Sequence, residues 1–300
     1  MAVFTLTGAT GSVGNEIVRQ LLLGGHEVRV LSTRKELQWN GIKAYYWNPG
    51  EGIIDSAALE GADHLIHLAG ATVSNRWTSK YKQQIMDSRV QSTQLLIDAL
   101  SRLTYAPQSA VSASAIGYYG SDLERLMKED DTPANDFLAD VCRFWENYTE
   151  KLGNENTRSI QLRVGIVLDK GAGVLGQLEP LAKFGLASPL GSGKQWMSWI
   201  HVEDLARLFI HASLNEVKPG AYNAVASNPE TNKAFTSKFC KAMKRPMLLP
   251  PVPGFVLKLV LGEMATLALM SQRVDNTKTK NTGFSFKYDR LEDALNVIYG

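Results

Sequence analysis

Residues 2–14 read Ala-Val-Phe-Thr-Leu-Thr-Gly-Ala-Thr-Gly-Ser-Val-Gly, and this stretch decides the fold. Its first six residues are an apolar, β-branched run of the kind that fills a buried strand. Gly8, Gly11 and Gly14 follow at three-residue spacing. Val13, Ile17 and Leu21 then recur every fourth residue, with Val18 and Leu22 beside them, which is a helical period. A strand, a glycine loop and a helix in that order make a place for a pyrophosphate. Gly8 permits the tight turn, Gly11 leaves no Cβ between backbone and ligand, and Gly14 lets helix and strand pack closely. The helix start, where Thr10, Ser12 and Val13 stand, offers unsatisfied N–H groups and a partial positive charge.

The end of the second strand narrows the ligand. His26–Leu31 is valine-rich and alternating, and it closes on Ser32-Thr33-Arg34-Lys35. Sites selective for NAD carry an acid here, about 20 residues past the loop, to bond the ribose 2′-hydroxyl. No acid stands at this point. Arg34 and Lys35, with Ser32 and Thr33 as further donors, suit a 2′-phosphate, since a guanidinium fork matches phosphate geometry. The expectation is NADP(H). The competing reading makes Arg34 and Lys35 solvated loop charges.

Composition sets the outer bounds. Three hundred residues, 44% of them hydrophobic, give one large domain or a nucleotide-binding domain with a smaller partner. A net charge of +2 carries no electrostatic footprint for nucleic acid or an anionic membrane. Two distant cysteines, Cys142 and Cys240, argue against a disulfide framework and a Cys-rich zinc site. The start lacks the basic n-region of a signal peptide. The apolar stretch 247–270 is broken by Lys258, Glu263 and prolines, too often to span a bilayer. A soluble, reducing, cytoplasmic setting is expected. No histidines and acids recur at metal-ligand spacing, so no metal is expected. The absence of a Gly-x-Ser-x-Gly elbow argues against a serine hydrolase.

Strand patterns at 2–7, 27–32, 42–46, 63–68, 108–113 and 159–164 alternate with helical ones at 12–24, 78–102 and 136–152, plus a short one near 55–60. That alternation is an α/β pattern and implies a parallel sheet covered on both faces. The strand from Asp63 ends in Leu68, Ala69 and Gly70, small enough at its tip for a cofactor to lie against the sheet edge. A further amphipathic helix falls at Asp204–Ile210. From residue 170 glycines punctuate the chain, as in loops that carry substrate contacts on a rigid scaffold. Residues 246–300 read as helices plus a short strand, Phe284-Ser285-Phe286.

Four motifs extend these readings: Thr7–Gly14; His67-Leu68-Ala69-Gly70; Ser112-Ala113-Ser114 before Tyr118-Tyr119-Gly120; and Ser198-Trp199-Ile200-His201-Val202-Glu203-Asp204. With them the chain resembles the atypical extended short-chain dehydrogenase/reductases, and within these the YfcH-like subgroup of nucleoside-diphosphate-sugar epimerases. The likeness spans nearly the whole chain. It includes Arg76-Trp77-Thr78 and a tail, Gly262-Glu263, Gln272-Arg273, Gly283-Phe284 and Leu291–Leu295, similar to a small C-terminal domain of unknown function. The resemblance implies a doubly wound, Rossmann-type sheet. Residues 1–168 would form the NADP-binding part, rejoined at about 198–225. Residues 169–197 and 226–300 would form a smaller substrate-side α+β region. It further implies hydride transfer between a nicotinamide and a sugar or alcohol carbon. A tyrosine serves there as acid/base, a lysine four residues on lowers its pKa, and an upstream serine orients the substrate. A homodimer and a nucleotide-sugar substrate are expected partners.

The chain departs from that pattern. None of its ten tyrosines has a lysine four residues on. By register, Leu138 stands at the tyrosine position, Cys142 at the lysine, and Arg89 at a proton-relaying asparagine. Ser114 keeps the serine position, with Ser112 as the alternative. Substitutes for the missing pair are Tyr119 or Tyr118 as proton donor, Arg89 as the tuning cation, and Cys142 as a thiolate. The rival reading makes the tyrosines packing residues, Cys142 a small buried hydrophobe and Arg89 a solvated charge. His67 and His201 are expected to be structural. Arg76, Trp77, Arg163 and Lys194 are candidate substrate contacts, Lys194 lying in the glycine turn 191–195. Two functions follow: a hydride-transfer enzyme on a sugar-like substrate, or a catalytically degenerate NADP(H)-binding sensor.

Overall fold

The computed structural model describes residues 1–35 and 42–300. The opening run becomes β1 (Val3–Thr7) and the periodic stretch after it α1 (Ser12–Leu23). The alternation continues through β2 (Glu27–Ser32), β3 (Lys43–Asn48), β4 (Ile53–Ile54), β5 (His64–His67), α2 (Ser79–Leu100), β6 (Ser109–Ala115), β7 (Leu126–Met127), α3 (Phe137–Glu150) and β8 (Arg158–Val164). Then come β9 (Ile166–Leu168), α4 (Gly173–Lys183), β10 (Trp196–Met197), β11 (Trp199–His201), α5 (Val202–Leu214), β12 (Gly220–Ala224), β13 (Glu230–Thr231), α6 (Asn232–Ala242), α7 (Gly254–Leu261) and β14 (Arg273–Val274).

Eight strands form the main sheet in the order β12-β8-β6-β5-β1-β2-β3-β4. Every pairing is parallel except β3–β4. Two-sided burial follows from that geometry. Phe4, Leu6 and Val30 face Ile17 and Leu21 of α1 and Leu205 and Phe209 of α5. Leu31, Leu65 and Ala110 face Leu96 and Ala99 of α2. The strand order reverses at β1, so the C-terminal ends of β1 and β5 open a crevice where the glycine loop lies. A second core joins α4, α6 and the last helix, Leu291–Tyr299, through Leu175, Phe235, Phe239, Leu291 and Leu295.

The tail departs from expectation: Phe284–Phe286 is not a strand. Phe284 is buried in the α1/α5 layer, edge-on to His211 and Phe286. The amides just after it go elsewhere. Lys287 N and Tyr288 N donate to the buried Asp204 carboxylate at 2.9 and 2.7 Å. With its hydrogen bonds taken by a side chain, the segment has no ladder to join. The strand of this region is instead β14, paired with β7.

His67 illustrates how the sheet fixes a protonation state. Thr7 Oγ1 accepts from Leu68 N and Ala69 N, both at 3.1 Å, so its own proton goes to His67 Nδ1 at 2.7 Å. Nε2–H then donates to Thr93 Oγ1 at 3.1 Å, and Thr93 donates to the Arg89 carbonyl. Burial lowers the His67 pKa to about 3 and the His64 pKa to about 4. In the unfolded chain both titrate near pH 6.5. Between those values the unfolded state binds more protons, so the stability these residues contribute is full above about pH 6.5 and drains as pH falls towards 4 and then 3. Urea midpoints measured from pH 7.5 down to 4.5 should fall in the native protein and fall less steeply in His67→Asn. Parallel slopes would remove His67 from the account.

Candidate functional site

The site is built at the tips of β1, β5 and β6. Gly8 has φ +70°, a left-handed turn, and a Cβ there would press on Leu68 at 3.1 Å. A Cβ at Gly14 would lie 2.6 Å from Ala9 Cα and closer still to the Gly8 carbonyl oxygen. A Cβ at Gly11 would meet only Gly8 O, at 3.4 Å. Gly8 and Gly14 are therefore held by the protein's own packing, while Gly11 faces open space. Thr10, Gly11 and Ser12 are exposed there, with Val13 half-buried and α1 starting beneath them. Ser12 Oγ donates to Asp169, in the loop between β9 and α4. Thr33, Arg34 and Lys35 are exposed at the end of β2, and Ser32 Oγ accepts from Arg34 N at 3.1 Å.

Ser114 ends β6 and is buried. Its Oγ donates to Glu146 Oε1 on α3 at 2.6 Å. Arg163 of β8 grips the same carboxylate with both arms of its fork, Nε to Oε1 and Nη2 to Oε2, each at 2.8 Å. Its Nη1 donates to Tyr119 OH at 2.9 Å and to the Glu129 carbonyl at 3.1 Å. Tyr119 OH donates to Asn223 Oδ1 at 2.6 Å, and the Tyr118 ring lies 3.5 Å from the Arg163 guanidinium carbon. Burial works against the Arg163 cation, but Glu146 more than offsets it and holds the guanidinium above its ordinary value.

Several expected roles change here. Arg163 is not placed to contact substrate: it is 3% exposed and bonded within the protein through all three nitrogens. Tyr119 is not a poised proton donor. Burial raises its pKa, and only in part does Arg163 lower it again. Arg163, not Arg89, is the cation beside Tyr119. Cys142 is not a thiolate, since burial pushes its thiol up to about 12. A Cβ at Gly117 would meet Leu138 and Cys142, so the segment after β6 seals the face of α3 where the tyrosine would project.

Arg89 packs between Gly70 and Trp145, its guanidinium carbon 4.6 Å from the indole centroid. Burial draws it below its ordinary pKa. Among the described residues, Arg89 Nε, Trp145 Nε1 and Ser112 Oγ are buried without a hydrogen-bond partner. Trp77 is half-buried edge-on to Phe137, with Nε1 donating to Val73 O at 2.9 Å; Arg76 and Lys194 are exposed. His201 caps α5, its Nδ1 accepting from Glu203 N at 3.2 Å. Among the described residues, no group of three His, Cys, Asp or Glu side chains is placed to hold a metal, and no helix is long and apolar enough to cross a membrane.

Sequence reasoning missed Glu146, Trp145 and Asn223. Glu146 stands four residues after Cys142 and eight after Leu138, one helical stripe, and that spacing was the available signal. Asn223 gave none.

Residues 4–140 match the NAD dependent epimerase/dehydratase family, and 252–298 match a domain of unknown function, DUF1731. The chain is 37% identical to an Arabidopsis thaliana protein, "Epimerase family protein SDR39U1 homolog, chloroplastic", over 98% of this chain and 86% of that one. The chain belongs to this epimerase family. Two solved structures carry the same architecture. The human epimerase family protein SDR39U1 (isoform 2) with NADPH superposes with a TM-score of 0.89 at 29% identity, covering 99% of each chain. A nucleoside-diphosphate sugar epimerase from Corynebacterium glutamicum gives 0.79 at 29% identity, covering all of this chain and 58% of that one. The epimerase-family sheet, in parallel order around the β1 crevice, is thus common to all three chains. The cradle at Gly8, Gly11 and Gly14 and the orphaned donors at Arg89 and Trp145 fit a dinucleotide.

Proposed function

We propose that this epimerase-family protein is an NADP(H)-dependent oxidoreductase or epimerase that moves a hydride at a hydroxyl-bearing carbon of a sugar-like, nucleotide-linked substrate. The observation that carries it is the open glycine cradle, with Arg34 and Lys35 rather than an acid at the tip of β2. The human relative whose structure holds NADPH supports the same cofactor. Backbone N–H groups of Thr10, Gly11, Ser12 and Val13 hold the pyrophosphate. Thr33, Arg34 and Lys35 hold the 2′-phosphate, and Leu68, Ala69 and Gly70 floor the site. When bound, the cofactor supplies a hydride donor or acceptor. Ser114 Oγ orients the substrate oxygen and, as it takes that proton, passes its own to Glu146 across their 2.6 Å hydrogen bond. Arg163 and Tyr119 fix the position of Glu146. Arg76, Trp77 and Lys194 contact the substrate from the rim, with residues 169–197 and 226–300 as the substrate-side region. The two buried, free cysteines suit a reducing compartment such as the cytoplasm.

Calorimetry tests the cofactor. NADPH should bind more tightly than NADH, and Arg34→Ala should weaken NADPH by about 10- to 100-fold, the worth of a charged contact of about 1.5–3 kcal/mol, while leaving NADH unchanged. Equal loss for both cofactors, or none, rejects the 2′-phosphate assignment. A screen of nucleotide sugars and carbonyl compounds for loss of nicotinamide absorbance, with Ser114→Ala as control, tests the reaction. The sealing of Tyr119 and Cys142 favours a second reading, an NADP(H) sensor. Tight cofactor binding with no turnover in that screen selects it.

A further inference from the structure

Arg89 projects from α2 and is 8% exposed, yet among the described residues no carboxylate pairs with it. Only Nη1 is bonded, to the Ala71 and Ile85 carbonyls at 3.1 and 2.9 Å. Its Nε is buried and bonded to nothing, and so is Nε1 of Trp145, over whose ring the guanidinium lies. A buried donor without an acceptor is costly, and more so when it carries charge. Two such donors side by side are a wall built for an oxygen-rich, anionic group from outside the chain.

Their position says which part of the ligand. The Gly8 turn packs on Leu68 and Ala69, and at the next residue, Gly70, a Cβ would meet the Arg89 guanidinium carbon at 3.1 Å. Arg89 is therefore one step along the tip of β5 from the pyrophosphate cradle. Arg34 and Lys35 lie at the end of β2, on the other side of β1. A dinucleotide with its 2′-phosphate at β2 and its pyrophosphate at the loop continues over β5, onto Arg89 and Trp145. We propose that Arg89 and Trp145 form the subsite for the nicotinamide mononucleotide half of the cofactor, meeting its phosphate or ribose oxygens. This rests on the NADP(H) reading above. A guanidinium stays charged at every physiological pH, so the contact persists where a lysine or histidine contact would fade.

Two probes separate the halves: NADPH, and adenosine 2′,5′-bisphosphate, which carries the adenosine end alone. By calorimetry, Arg89→Met should weaken NADPH by about 10- to 100-fold and change the bisphosphate by less than about two-fold. Arg89→Lys should recover part of the NADPH loss, since it restores charge without the fork. Without ligand, Arg89→Met should melt no lower than the native protein, because it removes an unpaired buried charge. A purely structural arginine would lower that melting temperature. Unchanged NADPH affinity in Arg89→Met, or equal weakening of both probes, overturns the assignment. So does a native protein that binds both probes equally well. If Arg89→Met fails to fold, that outcome also counts against it, and Arg89→Lys must then weaken NADPH alone for the subsite to stand. A native protein that binds neither probe rejects the NADP(H) reading itself.

Discussion

Glu146→Ala should lower the unfolding free energy by about 3–5 kcal/mol, the usual result of removing one partner from a buried ion pair. The Arg163 and Glu146 side chains are 4% and 13% exposed. With the carboxylate gone, Arg163 keeps only Tyr119 OH and one backbone carbonyl as acceptors, and Ser114 Oγ loses its own. The Arg163 cation cannot escape by neutralising itself, and β8, paired on both sides, cannot carry it out to water. Glu146→Gln keeps an acceptor oxygen, so its loss should be smaller, about 1–3 kcal/mol. The double replacement Glu146→Ala/Arg163→Met should cost less than the sum of its single changes, because it removes both charges together. Urea unfolding at pH 7 measures all four proteins. A Glu146→Ala loss below about 1 kcal/mol would show that the pair is solvated and not the buried anchor described.

The same cluster shows where the sequence stops being informative. Strands β1, β2, β5, β6 and β8 are continuous apolar runs, and burial on both faces is what makes such runs, so their parallel pairing could be read directly. β12 could not. Gly220-Ala221-Tyr222-Asn223-Ala224 has a single large apolar residue, and the segment is a strand because β8 offers it an edge. Asn223 reaches Tyr119 only through that pairing. The aromatic pair Phe284 and Phe286 has a strand's alternation, but the carboxylate of Asp204, some 80 positions earlier, takes the amides that follow. Register placed Arg89, Ser114 and Cys142 near one another. It could not tell that Arg89 lacks an anion while Arg163 has one, because that depends on which helix face each acid occupies. Glu146 lies on the Leu138–Cys142 stripe of α3 and so meets Arg163 rather than Arg89.

Gly11→Ala and Gly14→Ala should separate binding from folding within one loop. At Gly14 the new methyl would fall 2.6 Å from Ala9 Cα and 2.9 Å from Ala9 C, with the Gly8 oxygen nearer still. All three are backbone atoms, so no side chain can swing away. Either the turn opens or α1 lifts from the sheet, and Ile17, Val18 and Leu21 are buried beneath it. Overpacking of this kind costs about 1–3 kcal/mol, and more where backbone must shift. Moving the turn also takes the N–H donors away from the phosphate they would meet. At Gly11 the backbone is extended, φ −75° and ψ 168°, so alanine fits without strain, and its methyl meets only Gly8 O at 3.4 Å. Gly11→Ala should therefore keep its stability to within about 1 kcal/mol. It should still lose NADPH affinity by about 10-fold or more, because the methyl occupies the space where the pyrophosphate approaches the backbone. Gly14→Ala should lose both stability and binding. Thermal melting and calorimetry on the two variants decide it. If Gly11→Ala binds NADPH as well as the native protein does, the open side of the loop is not where the pyrophosphate lies.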